Sequence, residues 1–162
     1  MAFDPTCQKN YLEPGLFLTD SGRLLGLFRT QSDFGKPGVD FEQTYLNLHM
    51  AASDDGGKTF GPVYEIENLW GSSPFHALRL KSGKVLVTYG WRKEPFGIRA
   101  RLCNGELSDI AEAEEIILRD DAPDGDLGYP HSIQLEDGTI LVSYYIDGED
   151  GIRRIEATYI KE

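Results

Sequence analysis

Apolar residues are distributed along this chain in a pattern that recurs three times. In Pro14–Arg29, Pro74–Arg92 and Pro130–Tyr145 an apolar stretch runs into a Ser-Gly or Asp-Gly pair, and a second apolar stretch follows it. The glycines of those pairs, Gly22, Gly83 and Gly138, are 61 and 55 residues apart. Glycine after a small polar residue suits the positive φ of a tight hairpin, so each segment predicts two antiparallel strands. A third strand is predicted after each hairpin, over 44–53, 97–103 and 152–160, and a fourth in the first two units, near 63–67 and 115–119. Residues 107–115 include the helix formers Ala111, Glu112, Ala113 and Glu114, but the stretch is too short to displace the repeat.

Four short antiparallel strands repeated at this spacing are the pattern of a β-propeller blade. The expected fold class is therefore all-β, with three four-stranded antiparallel blades near 11–68, 69–120 and 127–162 in a single partial propeller domain spanning 1–162. Closed rings have at least four blades, so three would leave two apolar faces bare to water. The chain is accordingly not expected to be a stable isolated monomer. It is expected either to belong to a longer chain that carries the other blades or to form a homodimer that closes the ring by two-fold symmetry.

Length and composition narrow the choice of partner. At 162 residues and 40% hydrophobic content the chain is within the range of one domain. A net charge of −11, from 27 acidic and 16 basic side chains, argues against a nucleic-acid partner, because phosphate binding needs a basic footprint. A small anionic ligand stays possible, since a few converging arginines act locally against the global sign. No apolar run approaches the roughly 20 residues that span a bilayer, so no membrane partner is expected. The first residues, Met1 to Pro5, do not read as a signal peptide, and the compartment stays open. Cys7 and Cys103 form no C-x-x-C and have no histidine at zinc spacing. They read as two ordinary thiols, with a disulfide between them left open, and no metal or cofactor is expected.

Strand direction sorts residues between the two ends of such a ring. The three glycine turns share one rim. Residues starting a first strand or leaving a second strand gather on the opposite rim: Glu13, Arg29, His76, Arg92, Tyr129 and His131. Convergent polar groups over a central funnel make that rim the candidate ligand site.

One motif carries a family resemblance. Ser53–Phe60, read Ser-Asp-Asp-Gly-Gly-Lys-Thr-Phe, resembles the Asp-box of the sialidase superfamily, S-x-D-x-G-x-T-[W/F], with a degenerate version at Asn104-Gly105. In it Ser53 and Asp55 would cap backbone N–H groups, Gly57 would take the strained turn position, and Phe60 would pack between strands. The motif lies on the rim of the glycine turns, away from the ligand. The resemblance covers essentially the whole chain, best over 13–29, 71–101 and 126–158. It implies the C-terminal half of a six-bladed sialidase-type propeller, and an exo-acting glycoside hydrolase for a terminal acidic sugar, sialic acid favoured.

By that resemblance Arg29 and Arg92 bind the substrate carboxylate, Tyr129 is the nucleophile and Glu13 its base. His76 and Asp126 are further candidates for substrate contact, with Asp126 orienting Tyr129 or shaping its loop. The chemistry suits these residue types. A carboxylate beside the anomeric carbon repels an Asp or Glu nucleophile, whereas a neutral phenol avoids the clash. With an unperturbed pKa of about 10, a tyrosine needs a neighbouring base and cationic surroundings to attack. A guanidinium meets a carboxylate by two parallel hydrogen bonds.

A plain structural reading stands beside each assignment: Glu13 as a strand start, Arg29 and Arg92 as solvated strand ends, Tyr129 as an interface aromatic, His76 and His131 as satisfied rim histidines. Two departures from the family matter. The Phe/Tyr-Arg-Ile-Pro segment that supplies a first arginine is missing, and so is the acid/base aspartate; Asp33 and Asp40 have no claim to that role. The alternative reading is thus a non-catalytic carbohydrate-binding or self-assembling propeller module. A third is a related enzyme acting on another acidic sugar.

Overall fold

The computed structural model describes residues 8–33, 36–39 and 44–162; Cys7, Asp40 and Met1 to Pro5 lie outside them. Among the described residues the strands are β1 Lys9–Leu18, β2 Leu24–Ser32, β3 Asn47–Ser53, β4 Tyr64–Trp70, β5 Phe75–Arg79, β6 Val85–Trp91, β7 Gly97–Cys103, β8 Glu115–Arg119, β9 Gly128–Gln134, β10 Ile140–Asp147 and β11 Arg153–Ile160. They form three antiparallel meanders in chain order, β1-β2-β3-β4, β5-β6-β7-β8 and β9-β10-β11. The third sheet has three strands, where a uniform repeat called for four.

The hairpins close identically in every sheet. Gly22, Gly83 and Gly138 sit at φ 82, 88 and 86. Each donates its N–H to a carbonyl three residues back, on Thr19, Leu80 and Leu135, at 3.1, 3.0 and 3.1 Å. Only glycine takes this left-handed conformation without a steric cost of about 1–2 kcal/mol.

The Asp-box closes the β3–β4 connection through its own side chains. Ser53 Oγ accepts the Gly57 N–H at 2.9 Å and donates to Asp55 at 2.8 Å. The Asp55 carboxylate accepts the Thr59 N–H at 2.9 Å and its hydroxyl at 2.7 Å. These bonds, the Thr59 N–H first, hold its pKa at about 2. Phe60 is half-buried. Arg23, at the end of the Gly22 turn, pairs with Asp54 at 2.7 Å, which places turn and box on one rim. In the second sheet Asn104 accepts the N–H groups of Glu106 and Ser108 at 3.0 and 3.3 Å instead. Residues 107–113 then form successive hydrogen-bonded turns, Ile110 N–H to Leu107 carbonyl at 3.4 Å and Ala113 N–H to Asp109 carbonyl at 2.8 Å, before β8 begins.

Two apolar layers weld the sheets face to face. Phe17, Leu25, Leu27, Leu48 and Met50 of the first pack on Phe75, Val87 and Tyr89 of the second. On its other face the second sheet sets Leu86, Ile98 and Ala100 against Val142, Tyr144 and Ile146 of the third. Full burial of each such side chain contributes about 1.5–3 kcal/mol. Arg101 pins the first interface: its guanidinium donates to the Ile110 and Ala111 carbonyls at 2.7 and 2.9 Å and to Asn68 of the first sheet at 2.9 Å. Cys103 is a buried free thiol, pushed up to about 12 by burial. Among the described residues nothing covers the outward faces of the first and third sheets, with Leu16 and Leu18 on one and Ile133, Ile155 and Tyr159 on the other.

Inner strands β1, β5 and β9 stand side by side around the axis. The second and third sheets approach closely at two glycines. A Cβ on Gly90 would fall 2.9 Å from Gly128 Cα and 2.8 Å from Ser73 Oγ. Ser73 uses that proximity, accepting the Gly90 N–H at 2.7 Å.

Candidate functional site

The inner strands of the first and third sheets carry the same kind of distortion. The β1–β2 register slips between Leu12 and Gly15, and the β9–β10 register slips between Ser143 and Tyr145. Glu13 lies in the first irregularity at φ 47 and Tyr129 in the second at φ 50. Both precede a proline, which disfavours right-handed helical backbone at the residue before it. A non-glycine residue at positive φ costs on the order of 1–3 kcal/mol and is held there by its surroundings. A bulge also re-aims the side chain it carries. The two re-aimed side chains meet: the Tyr129 phenol donates to Glu13 Oε1, across 116 residues of sequence.

Arg29 completes a short chain. Its Nη1 pairs with Glu13 Oε2 at 2.9 Å, and its side chain is only 10% exposed, so it is no solvated strand end. The guanidinium carbon lies 5.3 Å from the centre of the Tyr45 ring. Arg92, just past β6, is held differently. Its Nε donates to the Leu127 carbonyl at 2.9 Å, Nη2 to Tyr145 Oη at 2.8 Å and Nη1 to Tyr45 Oη at 3.4 Å. Tyr45 therefore touches both arginines. Among the described residues no carboxylate pairs with Arg92, whose charge is met by neutral oxygens.

Burial first, and then the Glu13 carboxylate, raise the pKa of Tyr129, and the opposing pull of Arg29 and Arg92 is smaller. At rest the residue is thus a neutral phenol donating to a carboxylate. That is the ground state from which a general base would take the proton as the oxygen attacks.

Asp126 does not orient Tyr129. Its carboxylate accepts the Tyr145 hydroxyl at 2.7 Å and pairs with Arg153 at 2.7 Å, and the Tyr145 bond is the main reason its pKa is lowered. The Tyr145 ring lies 5.7 Å from the ring of Tyr129. Asp126 thus stands behind Tyr145, which stands behind Arg92. Neither Tyr45 nor Tyr145 was singled out from the sequence.

Glu13, Pro14, His76, Tyr129, Pro130 and His131 line one cleft of about 480 Å³, within the usual range for small-molecule sites. His76 and His131 stack inside it, ring centres 4.2 Å apart. Asp33 lies apart, exposed and paired with Lys36. Among the described residues no three His, Cys, Asp or Glu side chains gather as a metal site would require.

Blades meeting face to face, an Asp-box on one rim and a polar mouth on the other define a sialidase-like β-propeller fold. No family model matches the chain, and no curated protein matches it. Among solved structures it resembles a protein of unknown function from Dyadobacter fermentans DSM 18053. That match has a TM-score of 0.81 and 36% identity, over 98% of this chain and 39% of the other. It also resembles Hadza microbial sialidase Hz136, with a TM-score of 0.63 and 16% identity, over 94% of this chain and 35% of that one. The chain thus spans well under half the length of either.

Proposed function

We propose that this chain carries the nucleophile side of a glycoside-hydrolase site for a terminal acidic sugar, with sialic acid favoured. The observation that carries the reading is the Tyr129–Glu13–Arg29 chain, assembled from two sheets at one mouth. Tyr129 Oη attacks the anomeric carbon while Glu13 accepts the phenolic proton, and the bond to the leaving oxygen breaks. That oxygen takes its proton from an acid outside the residues named here. Water then displaces the tyrosine oxygen, which recovers its proton through Glu13, and configuration is retained. Arg92, without a carboxylate partner among the described residues, and Arg29, which shares Tyr45 with it, are the groups for the substrate carboxylate.

The acid and the rest of the ring come from further blades, in the same chain or in a second copy. The bare faces of the outer sheets and the greater length of both solved neighbours support this. Turnover of a fluorogenic sialoside tests the reading, with loss of activity expected for Tyr129→Phe. Sialic acid binding without turnover would favour a binding module instead. Turnover confined to uronides or other acidic glycosides would move the substrate away from sialic acid.

A further inference from the structure

The reaction above leaves the paired histidines of the cleft unused. His76 comes from β5 and His131 from β9, and their rings pack 4.2 Å apart at a 40° angle. Ser132, itself buried, fixes the state of the first ring. Its backbone N–H points at His76 Nδ1 at 3.2 Å, and its hydroxyl oxygen lies 2.9 Å from the same nitrogen. A backbone N–H can only donate, so Nδ1 must keep its lone pair, and the single proton of the neutral ring sits on Nε2. Protonating Nδ1 would set two N–H groups against each other. Burial, followed by the neighbouring His131, acts in the same direction and pushes the His76 pKa down to about 4.

A ring held in this state has no lone pair at Nε2, so there it is neither a base nor a metal ligand. It carries no charge with which to hold a carboxylate. What it offers is one N–H donor. His131 stacks against it, and its ring nitrogens have no hydrogen-bond partner among the described residues. The cleft therefore joins two chemically unlike regions: Glu13 and Tyr129, which feel the charges of Arg29 and Arg92 behind them, and the neutral His76 ring with His131 stacked on it.

We propose that His76, with His131 stacked on it, forms a hydrogen-bond-donating subsite that binds hydroxyl or carbonyl oxygens of the same sugar whose carboxylate Arg29 and Arg92 hold, and so sets which way the ring lies. This rests on the acidic-sugar reading. The direction of the donor follows from the Ser132 contact, and the choice of a neutral oxygen follows from the charge state.

Two measurements on the chain labelled with ¹⁵N test it. Long-range proton–nitrogen spectra of the histidine rings should show His76 as the Nε2–H tautomer, uncharged at pH 6; the other tautomer, or a charged ring at that pH, overturns the proposal. Titration with N-acetylneuraminic acid should then shift both the arginine Nε–H signals and the ring signals of His76 and His131. His76→Phe, which keeps a ring but removes the donor, should weaken binding about 5–10-fold, as expected for one neutral hydrogen bond, while His76→Gln, which restores an N–H, recovers most of it. If the arginines respond and the histidines do not, or if Phe binds as well as His, the subsite is wrong and the acidic-sugar reading survives. If neither set responds, both fail.

Discussion

Arg92 donates to the phenol of Tyr145 at 2.8 Å, and that phenol in turn donates to the Asp126 carboxylate at 2.7 Å. The guanidinium is thereby aimed by a hydroxyl that is itself oriented by a carboxylate one step further away. Had Asp126 touched Arg92 directly, the pair would have neutralised itself. The relay keeps the cation in place and leaves its charge for a ligand. Tyr145→Phe should therefore loosen Arg92 without altering the cleft. The expected result is about 5–10-fold weaker binding of an acidic sugar, near 1 kcal/mol for one hydrogen bond, seen in KM more than in kcat. Unchanged affinity would mean that Leu127 and Tyr45 alone hold the arginine.

The Tyr129 phenol is raised by burial and by Glu13, and lowered by the two arginines. Removing the carboxylate while keeping the shape takes away one raising cause and leaves both lowering ones. In Glu13→Gln the Tyr129 phenol should therefore titrate at lower pH than in the wild type, read from the tyrosinate signal in ¹³C spectra. The variant should nonetheless lose turnover, because the base has gone. A phenol pKa that rises or stays put would show that Glu13 does not act on this group.

The strand pattern was legible because each hairpin repeats one physical device, a positive-φ glycine between apolar strands, and Ser53–Phe60 encodes its own hydrogen bonds. The rim that gathers Glu13, Arg29, His76, Arg92, Tyr129 and His131 followed from strand direction alone. What hid was the support behind the arginines. Tyr145 follows Gly138 by seven residues, as Arg29 follows Gly22, so the repeat did mark the position. A tyrosine there reads as core, however, and its role comes from Arg92, 53 residues away. Tyr45 lies just before β3, where no periodicity points at the mouth. The left-handed backbone of Glu13 and Tyr129 depends on register slips, which a sequence does not display.

Sterics at the close approach of the sheets give a separate test. In Gly90→Ala the new methyl would stand 2.9 Å from Gly128 Cα and 2.8 Å from Ser73 Oγ, so backbone must move. Gly83→Ala meets nothing within 4 Å and costs only backbone strain at φ 88, about 1–2 kcal/mol. Overpacking at Gly90 costs about 1–3 kcal/mol, and displacing the Ser73 hydroxyl from the Gly90 N–H costs about 1 kcal/mol more, so Gly90→Ala should melt lower than Gly83→Ala. It should also shift the Tyr129 signals, since Gly128 adjoins that residue. Equal melting temperatures would contradict the close approach.

Acidification should strain the imidazole pair. Burial holds the pKa of His76 in the folded chain at about 4, below its ordinary value of 6.5, so between those limits the unfolded chain binds the extra proton. The stability from keeping this ring neutral is fully present above about pH 6.5 and is lost as pH falls toward 4. His131, Glu13 and Tyr129 line the same cleft, so the informative quantity is a difference between proteins. His76→Gln should flatten the fall in melting temperature across this window relative to wild type. Parallel curves would place the titration elsewhere.

The open faces make the last prediction. Ile155, Tyr159 and Leu16 are 78%, 66% and 64% exposed, on the two sheet faces that carry no neighbour among the described residues. Surfaces of this kind are uncommon on monomers and drive association. In a two-fold ring the face with Leu16 and Leu18 would seat on the partner's Ile133, Ile155 and Tyr159, and the reverse contact would form at the other junction. Sedimentation of the 18.1 kDa chain should thus reveal self-association rather than a compact monomer. Ile155→Lys with Tyr159→Lys puts charge into both junctions at once and should return the chain to monomer size while the hairpins, which do not use these side chains, stay folded. If the unmodified chain sediments as a stable monomer with both faces bare, the sheets do not need neighbours and ring closure is wrong.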